Sequence, residues 1–216
     1  MLKIVLAAAG GVLLASLLSG CPTMIIGGAA QTAAIAHDRR TTGTYLEDQE
    51  IEIKALKAFY GDPEVKDHSS ISTTSYNLNV LLTGQAKSAE VSARFARQVA
   101  ELPRVKKVYN EVVVGPEGTL EEAANDTYLT TKAKYALLDV EVPGFDPTRV
   151  KVVTSQGTVY LMGLVTAAEA DDAVDKVRRV SGVQRVVRVF EIIPPGALPP
   201  PESAPSSEPA PDTAVH

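Results

Sequence analysis

The chain has 216 residues, a formal net charge of −5, no tryptophan and one cysteine, Cys21. That length holds one medium domain or two small ones once an export leader is set aside. The charge is balanced where folding is expected, with nine Lys/Arg against ten Asp/Glu from Tyr45 to Gly115 and nine of each from Asp126 to Glu191. Neither part has the basic excess of a nucleic-acid binder, so no nucleic acid is expected among its partners.

Lys3 gives the chain a positive start, and Ile4 to Leu18 form an apolar run broken only by Gly10, Gly11 and Ser16. The run falls short of the ~20 residues of a membrane-crossing helix, and small residues follow it, so residues 1–20 read as an export signal. Its end, Leu18-Ser19-Gly20-Cys21, resembles the bacterial lipobox. The resemblance implies that Cys21 is acylated on sulfur and becomes the mature N-terminus, which would also explain an exported chain with no disulfide partner. Several acyl chains at ~0.8 kcal/mol per buried CH₂ would anchor the protein firmly. Residue 22 is Pro rather than the Asp that resembles an inner-membrane retention signal, which points to the periplasmic face of the outer membrane. Residues 21–44, rich in Ala, Gly and Thr, read as a lipidated tether.

The middle of the chain repeats. "VLLTGQAKSAE" (Val80 to Glu90) matches "VYLMGLVTAAE" (Val159 to Glu169) at an offset of 79, and "ALKAFY" (Ala55 to Tyr60) lies over "AKYALL" (Ala133 to Leu138) at 78. "RVKKVYNEV" from Arg104 likewise matches "GVQRVVRVFEI" from Gly182. One long period occurring twice means two copies of a small domain rather than a solenoid. In the second copy, Asn125 or Asp126 can cap a helix running to about Asp139, with Leu129, Ala133, Ala136, Leu137 and Val140 on one face. Val150 to Val153 forms a strand, Ser155-Gln156-Gly157 a turn, and Val159 to Met162 a second strand that Gly163 ends. Thr166-Ala-Ala-Glu169 is a capping box opening a helix, Gly182 stops it, and Val183 to Ile192 is the last strand. The first copy has Lys87 where the capping Thr would be, so its box is not kept.

Each copy is therefore α-β-β-α-β, an α+β unit with two helices packed on a three-stranded mixed sheet. The boundaries expected are 45–115 for the first domain, 116–124 for a linker, and 125–193 for the second domain. Eight of the fourteen prolines lie from Pro194 onward, so 194–216 reads as a disordered Pro-rich tail.

The order of a "VxLxG" strand, a helix and a "GVxxV" strand, twice, resembles the BON domain. Two copies behind a lipobox resemble the dual-BON outer-membrane lipoproteins, through "VYNEV" (Val108 to Val112), "NDTYLTTK" (Asn125 to Lys132), "VYLMGLVT" (Val159 to Thr166) and "RVSGVQRV" (Arg179 to Val186). These stretches span most of residues 45–192.

No reaction centre is expected. His37, His68 and His216 are scattered, there is no Gly-rich phosphate loop, and Asp171, Asp172 and Asp175 suit a solvated helix face, so no catalytic residue, metal ligand or cofactor is assigned. The informative feature is the first helix of the second copy. At 100° per residue, Leu129, Ala133 and Leu137 point toward the sheet, while Tyr128, Lys132 and Tyr135 share the opposite side with Leu138 at their edge. Tyr has an apolar ring and a wet tip, and Lys can snorkel, so this face suits a lipid headgroup layer. In the family resembled, the corresponding helix is implied in binding anionic phospholipid, with an aromatic residue at the position of Tyr128. Tyr stands where the family suggests Trp, and Asp139 falls on the same face.

The expected function is that of a lipid-anchored periplasmic protein that binds an anionic phospholipid surface and supports outer-membrane integrity. The first copy has no equivalent patch, because Glu47, Asp48, Glu50 and Glu52 sit near the start of its helix. Two alternatives stand beside this reading. The first copy could pack over Tyr128 and Tyr135, making them an interdomain seam, or the protein could be a non-catalytic scaffold for a periplasmic or envelope protein partner.

Overall fold

The computed structural model describes residues 38–196. Cys21, the export signal and the tail beyond Gly196 lie outside the described residues. Helix α1 (Thr42–Gly61) is followed by a single turn α2 (Pro63–Lys66), a hairpin β1 (Ser69–Tyr76) and β2 (Asn79–Ala86), helix α3 (Ala89–Ala100), and strands β3 (Lys107–Asn110) and β4 (Val113–Val114). The second copy has α4 (Leu120–Ala136), a 3₁₀ turn over Leu137–Asp139, β5 (Lys151–Ser155), β6 (Thr158–Val165), α5 (Ala167–Arg178) and β7 (Arg185–Ile192). In each sheet the middle strand pairs antiparallel with its hairpin partner and parallel with the strand after the second helix. In the first copy that last strand is broken at Glu111 and Val112. β4 resumes pairing with β2 at Gln85 and Ala86, which makes that sheet four-stranded by count.

Helices cover one face of each sheet. Ile51, Ala55, Val80, Leu82, Phe95 and Val99 form the first core, and Ala133, Leu137, Val159, Leu161, Ala173 and Val177 the second. The remaining faces meet each other: Tyr76 and Leu81 pack with Tyr160, Met162, Leu164 and Val189 in a third buried cluster. Strand β6 is consequently buried from Val159 to Val165 without interruption. This explains why its sequence is nearly all apolar instead of alternating. The interdomain seam is thus made of sheet faces, and Tyr128 and Tyr135 take no part in it.

Several boundaries depart from the sequence reading. Helix α4 starts inside the expected linker, because Thr119 accepts from Glu122 N while the Glu122 side chain accepts from Thr119 N, a capping box. Asp126 does not cap its own helix; its two oxygens accept from Gln156 N at 2.8 Å and Gly157 N at 2.9 Å, holding the β5–β6 turn. Asp48 does the same in the first copy, taking Asn77 N and Leu78 N at 2.8 Å each, so it is buried rather than part of a solvent-facing acidic cluster. Glu52 is likewise occupied, by Ser75 N and Lys151. Helix α3 is capped by Ser88, one residue beyond Lys87, and its third position is Val91, so no box forms.

Gly163 does not end its strand. It lies within β6, where a Cβ would come within 2.7 Å of the Arg149 carbonyl, and Gly84 of β2 would bring one to 2.0 Å from the Ser70 carbonyl. Both glycines permit a close backbone approach, and Gly84 also has φ +115°.

The end of the expected tether is part of the folded body. Arg39 donates from both terminal nitrogens to Glu169, at 2.6 and 2.8 Å, and also to the Leu164 carbonyl at 2.9 Å. Next to it, Arg40 reaches Asp38 and Asp48 and stacks 3.9 Å from the centroid of the Tyr76 ring. Burial works against the Arg40 charge, yet Asp38 and Asp48 hold its pKa above the ordinary value. This short segment precedes the first domain but fastens it to the second.

Candidate functional site

Helix α4 separates its residues cleanly. Leu129, Ala133 and Leu137 are buried against β5 and α5, and Leu129 also packs on the backbone at Gly182. On the outer side Tyr128, Tyr135 and Leu138 are 61, 68 and 64 % exposed. Leu120 stands 88 % exposed at the start of the same helix. By the 100° step it lies with Leu138 and extends the apolar face one turn beyond what the shorter expected helix allowed. Leu137, Leu138 and Asp139 belong to the 3₁₀ turn that follows α4.

Lys132 is not a free cation. Its Nζ donates to the Ser181 carbonyl at 2.6 Å and lies 5.2 Å from the centroid of the Tyr128 ring. The carbonyl fixes the lysine and the ring takes some of its field, so Tyr128 and Lys132 act as one amphipathic unit. The Lys132–Ser181 bond also brings the end of α5 alongside. There Arg178 and Arg179, both well exposed, share the carboxylate of Asp175. Sequence reasoning missed the Lys132–Ser181 bond, since only a long-range contact reveals that α5 ends next to Lys132. It also missed Lys134, an exposed residue of α4 on the side turned toward α1.

The site so assembled is an open ridge, with aromatic rings and leucines at its crest and Lys132 at one flank. It presents surface rather than a cavity, and among the described residues no cluster of side chains suited to holding a metal lies beside it. The face can take up an amphipathic layer by burying rings and keeping hydroxyls and ammonium wet.

Two sheet-and-helix units of this topology, at residues 47–116 and 125–194, match the model of the BON domain, and the chain belongs to the BON-domain family. It is a dual-BON protein resembling Outer membrane lipoprotein DolP of Haemophilus influenzae, with 36 % identity over 177 residues, 82 % of this chain and 90 % of that one. The 21 kDa hemolysin of Actinobacillus pleuropneumoniae is 33 % identical over 147 residues, 68 % of this chain and 74 % of its own. A solved domain of CdsD, a structural protein of the type III secretion system of Chlamydia trachomatis, covers 66 % of this chain and 92 % of its own. At TM-score 0.28 and 16 % identity, that likeness bears on nothing further.

Proposed function

We propose that the protein is a non-catalytic, lipid-anchored protein on the periplasmic face of the outer membrane, where it binds anionic phospholipid through α4 and supports membrane integrity. The observation that carries the reading is the exposure of Tyr128, Tyr135 and Leu138 along one side of α4 and the turn after it, opposite the buried Leu129, Ala133 and Leu137. An isolated exposed leucine means nothing, but aromatic and aliphatic groups aligned along a helix crest and flanked by Lys132 suit a headgroup layer. The lipobox-like end of the leader and the name of the Haemophilus influenzae relative support the anchor and the location. Because Asp38 to Thr44 belong to the folded body, the tether is residues 22–37, which span at most ~53 Å at ~3.3 Å each.

The test is co-sedimentation of the chain lacking residues 1–21 with vesicles. Anionic vesicles bind it, zwitterionic vesicles bind it weakly, and salt lowers the binding. Tyr128→Ala weakens binding by roughly tenfold, the worth of one interfacial ring at about 1.4 kcal/mol. Lys132→Glu weakens it at least as much, since two units of charge change at about 1 kcal/mol each. Indifference to both substitutions would favour a protein-binding scaffold instead. The anchor is tested separately: Cys21→Ala moves the protein to soluble fractions or leaves an uncleaved precursor, and undiminished membrane retention would refute it.

A further inference from the structure

Helix α1 is apolar on two opposite sides. Ile51 and Ala55 are buried in the first core, with Phe59 packed at its edge. On the outside, Leu46, Ile53, Leu56 and Tyr60 are 62, 53, 55 and 62 % exposed. A surface helix needs one apolar stripe to join its core, so the second is unpartnered. The outer residues follow a heptad, with Leu46, Ile53 and Tyr60 in the first position and Gln49 and Leu56 in the fourth, the seam of a coiled coil.

The fold does not require this stripe. Asp48 and Asp126 hold equivalent turns in the two copies and fix the offset between α1 and α4 at 78 residues. At that offset the stripe falls on Ala124, Thr127, Thr131, Lys134 and Leu138, of which only Leu138 is a large apolar residue.

We propose that the α1 stripe is the interface of a two-fold dimer, in which α1 packs antiparallel on α1 of a second copy of this chain. Charge identifies the occupant. Glu47, Glu50 and Glu52 lie in the first half of the helix, and Lys54 and Lys57 in the second. In an antiparallel coiled coil the fifth heptad positions of the two helices face each other, and here they are Glu50 and Lys57. A two-fold axis between Ile53 and Leu56 sets Glu50 of each copy beside Lys57 of the other. The same axis puts Ile53 on Leu56 and Tyr60 over Gln49.

Glu50 is exposed and bound only along its own helix, to Lys54 at 2.7 Å, while Lys57 is exposed with no ion-pair partner among the described residues. A parallel arrangement would set the two acidic halves side by side. Glu52 is no substitute partner, since it already serves Ser75 and Lys151. The acidic half equally disfavours an anionic lipid surface here, and a foreign peptide would not need a pattern that matches itself.

The experiment is sedimentation equilibrium on the chain lacking residues 1–21, which keeps every described residue. The mass rises with concentration toward twice that of the chain. Glu50→Lys and Lys57→Glu each weaken association by about tenfold or more, because the symmetry counts every reversal twice. The double variant Glu50→Lys/Lys57→Glu restores it, and Ile53→Arg leaves a monomer. All three positions are exposed, so circular dichroism should show unchanged folding. A monomer at every concentration overturns the proposal, and so does a dimer indifferent to the charge reversals. Tyr128→Ala should leave the mass unchanged, so failure here and failure of the lipid reading are distinguishable.

Discussion

Arg39→Ala is expected to destabilise the protein by about 3–5 kcal/mol, the cost of leaving one member of a buried ion pair uncompensated. Glu169 is 2 % exposed and takes both terminal nitrogens of Arg39. Without the guanidinium, its carboxylate keeps only the Thr166 N–H and the field of the helix it caps, and the Leu164 carbonyl loses a donor. For a body of this size the change corresponds to a fall in melting temperature of roughly 10 °C. Arg39→Lys should recover only part of it, because an ammonium cannot reproduce two parallel bonds to one carboxylate.

The same pair gives stability an acid limit. Burial pushes the Glu169 carboxyl up, but the bonds from Arg39 and Thr166 outweigh it and leave its pKa below the ordinary glutamate value. A folded pKa below the unfolded one means that the contribution is complete above the unfolded value, ~4.3, and is lost as pH falls through the folded value. Thermal melts between neutral pH and pH ~3 check this: the difference between wild type and Arg39→Ala should narrow in acid. A constant difference would show that the effect of Arg39 does not come from its pairing with the Glu169 charge.

The other large effect is expected at Asp48. Its carboxylate accepts from Ser75 Oγ at 2.6 Å, from Asn77 N and Leu78 N at 2.8 Å, and from Arg40 at 2.8 Å. Asn77 and Leu78 both have positive φ, 51° and 67°, and a leucine in that conformation costs on the order of 1 kcal/mol. The turn persists because Asp48 receives its N–H groups. Asp48→Ala leaves two turn donors and a buried hydroxyl without their acceptor and should cost about 4 kcal/mol in urea unfolding. Asp48→Asn should be intermediate. Asp126→Ala should cost about half as much. Its turn is Gln156-Gly157, where the second of the two left-handed residues is a glycine instead of a leucine, and Asp126 is less buried. Equal effects at Asp48 and Asp126 would argue against this account of the two turns.

The doubled αββαβ pattern was legible because each element carries its own local signal: apolar period 3.6 around Leu129, a turn at Gln156-Gly157, a capping box at Thr166. What escaped was carried by contacts between distant residues. Thr119-x-x-Glu122 is a local box that was available in the sequence, yet Asn125 and Asp126 offered competing caps and only the β5–β6 turn shows where Asp126 is spent. Gly163 looked like a strand end because glycine usually weakens strands. The approach of the Arg149 carbonyl that demands it cannot be seen locally. Arg39 sat in a segment whose composition reads as tether, and its partner is 130 residues away. The α4 face itself was read from helical spacing, and its rings are exposed. The engagement of Lys132 with Ser181 needed the fold.

The most direct test of lipid contact through α4 uses the absence of tryptophan from the chain, which makes the indole of Tyr128→Trp a single reporter. On anionic vesicles its emission should shift to shorter wavelength and be quenched by lipids brominated near the headgroup, with tighter binding than wild type and little change on zwitterionic vesicles. A protein that sediments with anionic vesicles while this emission stays that of an indole in water would place the membrane against some other surface and contradict the account.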